Sequence, residues 1–267
     1  MAKDKGDVAQ TVAERERHIV AAFVSLSGEL AGGLDVVDLL TELTADCARL
    51  LDITSAGLLL ADGAGALHLL AASSEATREL ELFQVQCAEG PCVDCFESGV
   101  PVTIADLAKE AERWPRFVPA ALAAGFASVH AVPMRLRNSV LGALNLFGAS
   151  VGPLSTDDLD LAQALAHVAG VALVQDKAAA DKDLIVSQLT TALTSRIVIE
   201  QAKGVLSQTG GLDMDEAFGA LRRYSRDHNM RLSVVAAAVV SRQLPSQQVL
   251  DHAARKAKAS TETSKTL

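Results

Sequence analysis

From Ser155 to Gln208 the chain keeps a helical period. Along it Leu161, Leu165, Val168, Ala172, Gln175, Ala179, Lys182, Val186, Leu189 and Leu193 follow one another at alternating steps of four and three. That spacing is the seam of a coiled coil, because a 3.5-residue repeat keeps one stripe turned toward a partner helix. It divides the chain into a front and a rear part and predicts a parallel homodimer. Gln175 and Lys182 interrupt the apolar run, so pairing is expected to be strong at either end and loose between.

The two parts differ in charge. Residues 1–183 hold 13 Lys+Arg against 26 Asp+Glu, residues 184–244 hold 7 against 5, and the stretch from 245 onward holds 4 against 2. A length of 267 residues favours two domains. No apolar run reaches the roughly 18 residues of a membrane span, and the opening MAKDKGDVAQ lacks an apolar signal segment. A cytoplasmic protein with no membrane partner is the expectation.

In front of the seam, TVAERERHIVAAFVSL and DVVDLLTELTADCARLL have amphipathic helical period, while SAGLLLAD, ALHLLAAS, FASVHAVPMRL and SVLGALNLFGA read as strands. Asp62-Gly-Ala-Gly65 and Arg137-Asn-Ser139 supply hairpin turns. This predicts an α/β domain with an antiparallel-rich sheet flanked by helices. Behind the seam, Thr209-Gly-Gly211 is a turn. Two short helices follow, with inner stripes Met214, Ala217, Phe218, Leu221, Ser225 and Leu232, Val235, Ala236, Val239, and with Asp213 and Ser233 as N-caps. The final PSQQVLDHAARKAKASTETSKTL begins with a breaking proline and is poor in apolar residues, which predicts a disordered tail.

The stretches SRIVIEQAKGVLSQ, DMDEAFGALRRYSR and NMRLSVVAAAVV, in that order, resemble an ANTAR domain, a three-helix RNA-binding module of transcription antiterminators. AEGPC, VPVTIADL, RWPRF and VLGALNLFG resemble a GAF domain. The resemblance implies a flexible N-terminus at 1–15, a GAF sensory domain at 16–178, an ANTAR domain with its coiled-coil linker at 179–244, and the tail at 245–267. It also implies a GAF–ANTAR antitermination regulator whose partner is RNA carrying two tandem hexaloop hairpins, bound by a homodimer. The front domain would hold a small ligand of unknown identity in a pocket walled by Phe83 to Phe126, a wall without a conspicuous charge cluster.

RNA recognition needs cations for phosphate and flat or polar side chains for bases displayed in loops. Arg196 and Lys203 are seven residues apart and share a helix face. Gly204 costs about 1 kcal/mol relative to alanine inside a helix, so a close approach by RNA or by a packed helix should explain it. With Arg222, Tyr224, Asn229 and Arg231 these residues form the expected RNA-binding set. Taken without the family pattern, RRYSR is a solvated helix face and Tyr224 is core; the resemblance favours Lys203, Arg222 and Tyr224 over Arg223 and Arg226.

Cys87, Cys92 and Cys95, with distant Cys47, could in principle hold a metal, but a second C-x2-C pair is missing. Reduced structural thiols are expected, no metal, and a redox-responsive role for Cys92 and Cys95 as a hypothesis. Trp114 reads as a packing residue, and His130 and His167 have no partner at metal-ligand spacing. The rival function is a ligand- or redox-responsive DNA-binding regulator using the C-terminal helices. Against it, SVVAAAVVSRQ has too few polar side chains to read base edges. No phosphate loop, nucleophile elbow or paired catalytic carboxylate points to an enzyme.

Overall fold

The computed structural model describes residues 17–22, 24, 35–51, 53–137, 139–173 and 182–263. The chain divides into two compact units, Met1–Thr190 and Thr191–Leu267. The expected boundary at 178/179 falls outside the described residues, as does most of the first predicted helix, of which 17–22 are helical.

In the first unit, α1 (Val36–Leu50) starts at Asp35, whose carboxylate accepts the Val37 N–H at 3.0 Å. Then come β1 (Ser55–Ala61), β2 (Leu67–Ala72), α2 (Glu75–Cys87), α3 (Pro91–Ser98), β3 (Val102–Ile104), a 3-10 turn at Leu107–Glu110, α4 (Phe117–Ala123), β4 (Ser128–Leu136), β5 (Ser139–Gly148) and α5 (Thr156–Leu173). The sheet order is β2-β1-β5-β4-β3, and every pairing is antiparallel. Both predicted hairpins are present: Gly57↔Ala72 through Ala61↔Leu67, and Ser128↔Gly148 through Leu136↔Ser139.

Strand alternation supplies two cores. Leu59, Ala61, Val129, Ala131, Ala143 and Phe147 face a layer containing Leu80, Cys92, Cys95, Trp114 and Phe117. Leu58, Leu60, Val132, Leu144 and Leu146, also buried, alternate with them and face the other way, where α1 packs on β1 and β2 and α5 on β4. Trp114 is buried and meets Phe117 edge-on at 6.1 Å, the packing role expected of it. Fully buried Leu165 and the Gln163 amide, which donates to the Pro133 carbonyl at 2.9 Å, show what α5 does with its inner face. Of the front of the predicted seam, Leu165 is buried within this unit while Leu161 and Val168 stay partly exposed, and the seam's side chains from Gln175 to Leu189 lie outside the described residues.

The second unit continues α6 (Lys182–Gly210) into α7 (Met214–Asp227), α8 (Leu232–Val240) and α9 (Ser246–Thr263). Asp213 caps α7 in a reciprocal capping box with Glu216. Ser233 is not the cap of α8: extended Arg231 holds that position and Ser233 is already helical. The expected disordered tail is also corrected. Residues 246–263 are helical, and Val249 is fully buried; with Leu250 and Ala253 at helical spacing it gives this polar segment an apolar edge to dock.

Candidate nucleic-acid interface

The inner arc of α6 consists of Ala192, Arg196, Ile199, Ala202, Lys203 and Leu206, all buried. Arg196 and Lys203 do share a face, but it is the face turned inward. Glu200 sits between them, its Oε1 at 2.6 Å from Arg196 Nη2 and 3.2 Å from Lys203 Nζ. Lys203 Nζ also lies 5.5 Å from the centre of the Phe218 ring. With Arg196 9% and Lys203 6% exposed, both cations serve the helix packing, which corrects their assignment to an exposed RNA surface. Gly204 faces outward, and a Cβ there would meet nothing within 4 Å, so no helix of this unit packs against it.

On α7, Tyr224 is also buried, at 5% exposure, and the covering element is α9. Gln248 Nε2 donates to the Tyr224 hydroxyl at 3.1 Å. The ring stacks on His228 with centroids 4.0 Å apart and meets His252 edge-on at 5.3 Å. His252 Nε2 lies 2.8 Å from Asp227 Oδ2, and Arg223 Nη1 donates to the Ala253 carbonyl at 3.3 Å. The expected stacking platform is thus enclosed. Arg222 is half-buried, whereas Asn229 and Arg231 are exposed at the α7–α8 turn, where Asn229 takes a φ of 52°. Arg223 and Arg226, which sequence reasoning ranked low, are exposed.

In the first unit a cavity of about 660 Å³ lies along α3 and β3, bordered by Asp94, Glu97, Val100, Thr103 and Arg113. It falls within the Phe83–Phe126 segment expected to wall a pocket, but its border carries charge, with Arg113 Nη2 2.7 Å from Asp94 Oδ2. Nearby, Glu89 Oε1 accepts the Arg116 and Phe117 N–H groups at 2.7 and 3.0 Å, so the EGPC element caps α4. Deeper in, the Glu81 carboxyl is fully buried and accepts from Asn145 Nδ2 at 2.6 Å and from Gln84 Nε2. Burial pushes it up to about 8 against those two hydrogen bonds. A Cβ at Gly57 would overlap this carboxyl, which explains a glycine inside β1.

The GAF domain family matches residues 33–174, more than half of the chain, and the ANTAR domain family matches residues 187–240. The chain belongs to the GAF family and carries an ANTAR domain. Among solved structures, this GAF–ANTAR chain is similar to the GAF domain of an Acinetobacter phosphoenolpyruvate-protein phosphotransferase, at 14% identity over 61% of this chain and 97% of that one, with a TM-score of 0.47. It is similar to the phycoerythrobilin-bound GAF domain of a cyanobacterial phytochrome at 17% identity, over 59% and 95%, with a TM-score of 0.45. The type II free methionine-R-sulfoxide reductase of Thermoplasma acidophilum matches at 17% identity over 52% and 94%, with a TM-score of 0.41. No curated protein matches the chain.

A GAF–ANTAR chain joins signal sensing to RNA-binding antitermination, the architecture of a regulator. Among the described residues no helix is long and apolar enough to cross a membrane. The setting of Cys92 and Cys95 does not favour redox chemistry. Both are buried free thiols; burial, then the nearby Glu81 charge, drives Cys92 well up, and burial pushes Cys95 up to about 12. Their reactive thiolate form is suppressed.

Proposed function

We propose that the chain is a homodimeric antitermination regulator that recognises two tandem hexaloop stem-loops in nascent messenger RNA and prevents a terminator hairpin from forming, under control of a small ligand in the cavity bordered by Asp94 and Arg113. The observation that carries the reading is the set of exposed arginines within the ANTAR domain, Arg223, Arg226 and Arg231, beside exposed Asn229. Arginine forks suit phosphate, and a polar turn suits loop bases. On α6, outward Gly204 and its neighbours Gln201 and Gln208 form an uncharged strip close to which an RNA backbone can pass. Two hairpins on one transcript match two copies of this domain, since the tether gives the second contact a high effective concentration.

The DNA reading gains nothing from α8, whose exposed residues include Val234, Ala237 and Val240. The test uses two variants of the full chain. Gly204→Ala fills open space and should leave the fold intact or firm it by up to about 1 kcal/mol, while weakening two-hairpin RNA binding. Arg226→Ala should weaken the same complex with no more change in melting than the loss of one exposed surface contact brings. RNA binding at parental strength by both variants would refute this surface.

A further inference from the structure

Where β4 begins and β5 ends, the first unit has a second cavity, of about 260 Å³. Its wall comprises Ile53 and Thr54 ahead of β1, Ser128 and His130 on β4, and the loop from Gly148 to Leu154. Alternation along β4 turns Ser128 and His130 away from Val129 and Ala131, hence to the side of the sheet on which α5 packs. This is the opposite side from the cavity along α3 and β3, and the two share no lining residue.

His130 is 3% exposed, and its Nδ1 is buried with no hydrogen-bond partner. Buried polar atoms are nearly always satisfied, so the His130 ring is a wall group whose hydrogen-bonding capacity is not used up among the described residues. Burial holds the imidazole below its ordinary range, leaving it uncharged near neutral pH. The described wall contains no carboxylate, lysine or arginine to balance a charged guest. The rim is anchored: the Ala149 N–H donates to Thr54 Oγ1 at 2.9 Å, the Thr54 N–H to the Phe147 carbonyl at 2.8 Å, and the Gly152 N–H to the Ala105 carbonyl at 2.9 Å. The Ser128 hydroxyl fills the space that a Cβ at Gly148 would take. A cavity of this size accommodates on the order of a dozen non-hydrogen atoms.

We infer that this cavity binds a small uncharged heterocycle with adjacent donor and acceptor groups, of the lactam or aromatic carboxamide class, held by His130, Ser128 and the Gly148–Leu154 loop. The loop runs directly into α5, whose first turn is held by Ser155 Oγ accepting the Asp158 N–H at 3.1 Å. A bound ligand therefore fixes the root of that helix, a second input independent of the cavity near Arg113 and of RNA.

The experiment follows the histidine ring resonances of the full-length protein during titration with nicotinamide, uracil and hypoxanthine. His130 is assigned by comparison with His130→Gln, and affinity is read by calorimetry. At least one probe should shift the His130 signal saturably at up to millimolar concentration. Ser128→Ala should weaken that binding about tenfold, the worth of one good hydrogen bond, and Asp94→Ala should leave it unchanged. If no probe moves His130, if Ser128→Ala binds as the parent does, or if Asp94→Ala abolishes the shift, the site is overturned. Should His130→Gln fail to fold, the Ser128 and Asp94 variants decide alone.

Discussion

Lys203 shows how a charged side chain can be read onto the wrong surface. Its neighbours one turn away are Ile199 and Leu206, so its helical position is that of a core residue, and the seam through Leu189 and Leu193 runs straight into Arg196, Glu200 and Lys203. The signal was in the sequence, but a basic pair at a seven-residue spacing resembles a phosphate clamp unless the stripe around it is followed. Lys203→Ala removes one of the cations held against the Glu200 carboxylate and should cost about 1–3 kcal/mol by denaturant unfolding. Lys203→Met keeps the stem and should retain both fold and RNA affinity; selective loss of RNA binding in that variant would return Lys203 to the interface. Glu81 is the corresponding case in the first unit. Its folded value of about 8 lies above the ordinary 4.5, so the native state holds a proton that the unfolded chain has released. Its contribution to stability is full below about pH 4.5 and is lost as pH rises to about 8, on the order of several kcal/mol. Glu81→Gln should flatten that part of the pH–stability curve; an unchanged slope would place the proton elsewhere.

At the level of elements, strands were easier to read than the helices between them. The apolar runs of β1, β2, β4 and β5, bounded by Asp62–Gly65 and Arg137–Ser139, fixed the hairpins, whereas α2, α3 and α4 have no sustained period of their own. They are short or carry buried polar residues such as Glu81 and Gln84, held by contacts distant in sequence. The same reason hid α9: its helix is stabilised by docking on α7 through Gln248, Val249 and His252, not by composition. A chain ending at Leu244 should expose Tyr224, the single tyrosine, and lose a few kcal/mol of stability in the second unit. Its ring resonances give the readout, and an unchanged tyrosine spectrum would contradict the packing.

For the whole molecule, the order of domains was legible from motifs and charge, because an acidic α/β domain and a basic helical one differ in period and in sign. Of the residues expected to bind RNA, Gly204, Asn229 and Arg231 are exposed, Arg222 is half-buried, and Arg196, Lys203 and Tyr224 belong to the interior. The most direct test is a binding titration of the full-length protein against a two-hairpin RNA, a one-hairpin RNA and duplex DNA across a salt series. The account predicts the order two-hairpin, one-hairpin, duplex, with Arg223→Ala and Arg231→Ala each lowering the salt slope by about one. Equal or tighter binding to the duplex, or slopes unmoved by both variants, would contradict it.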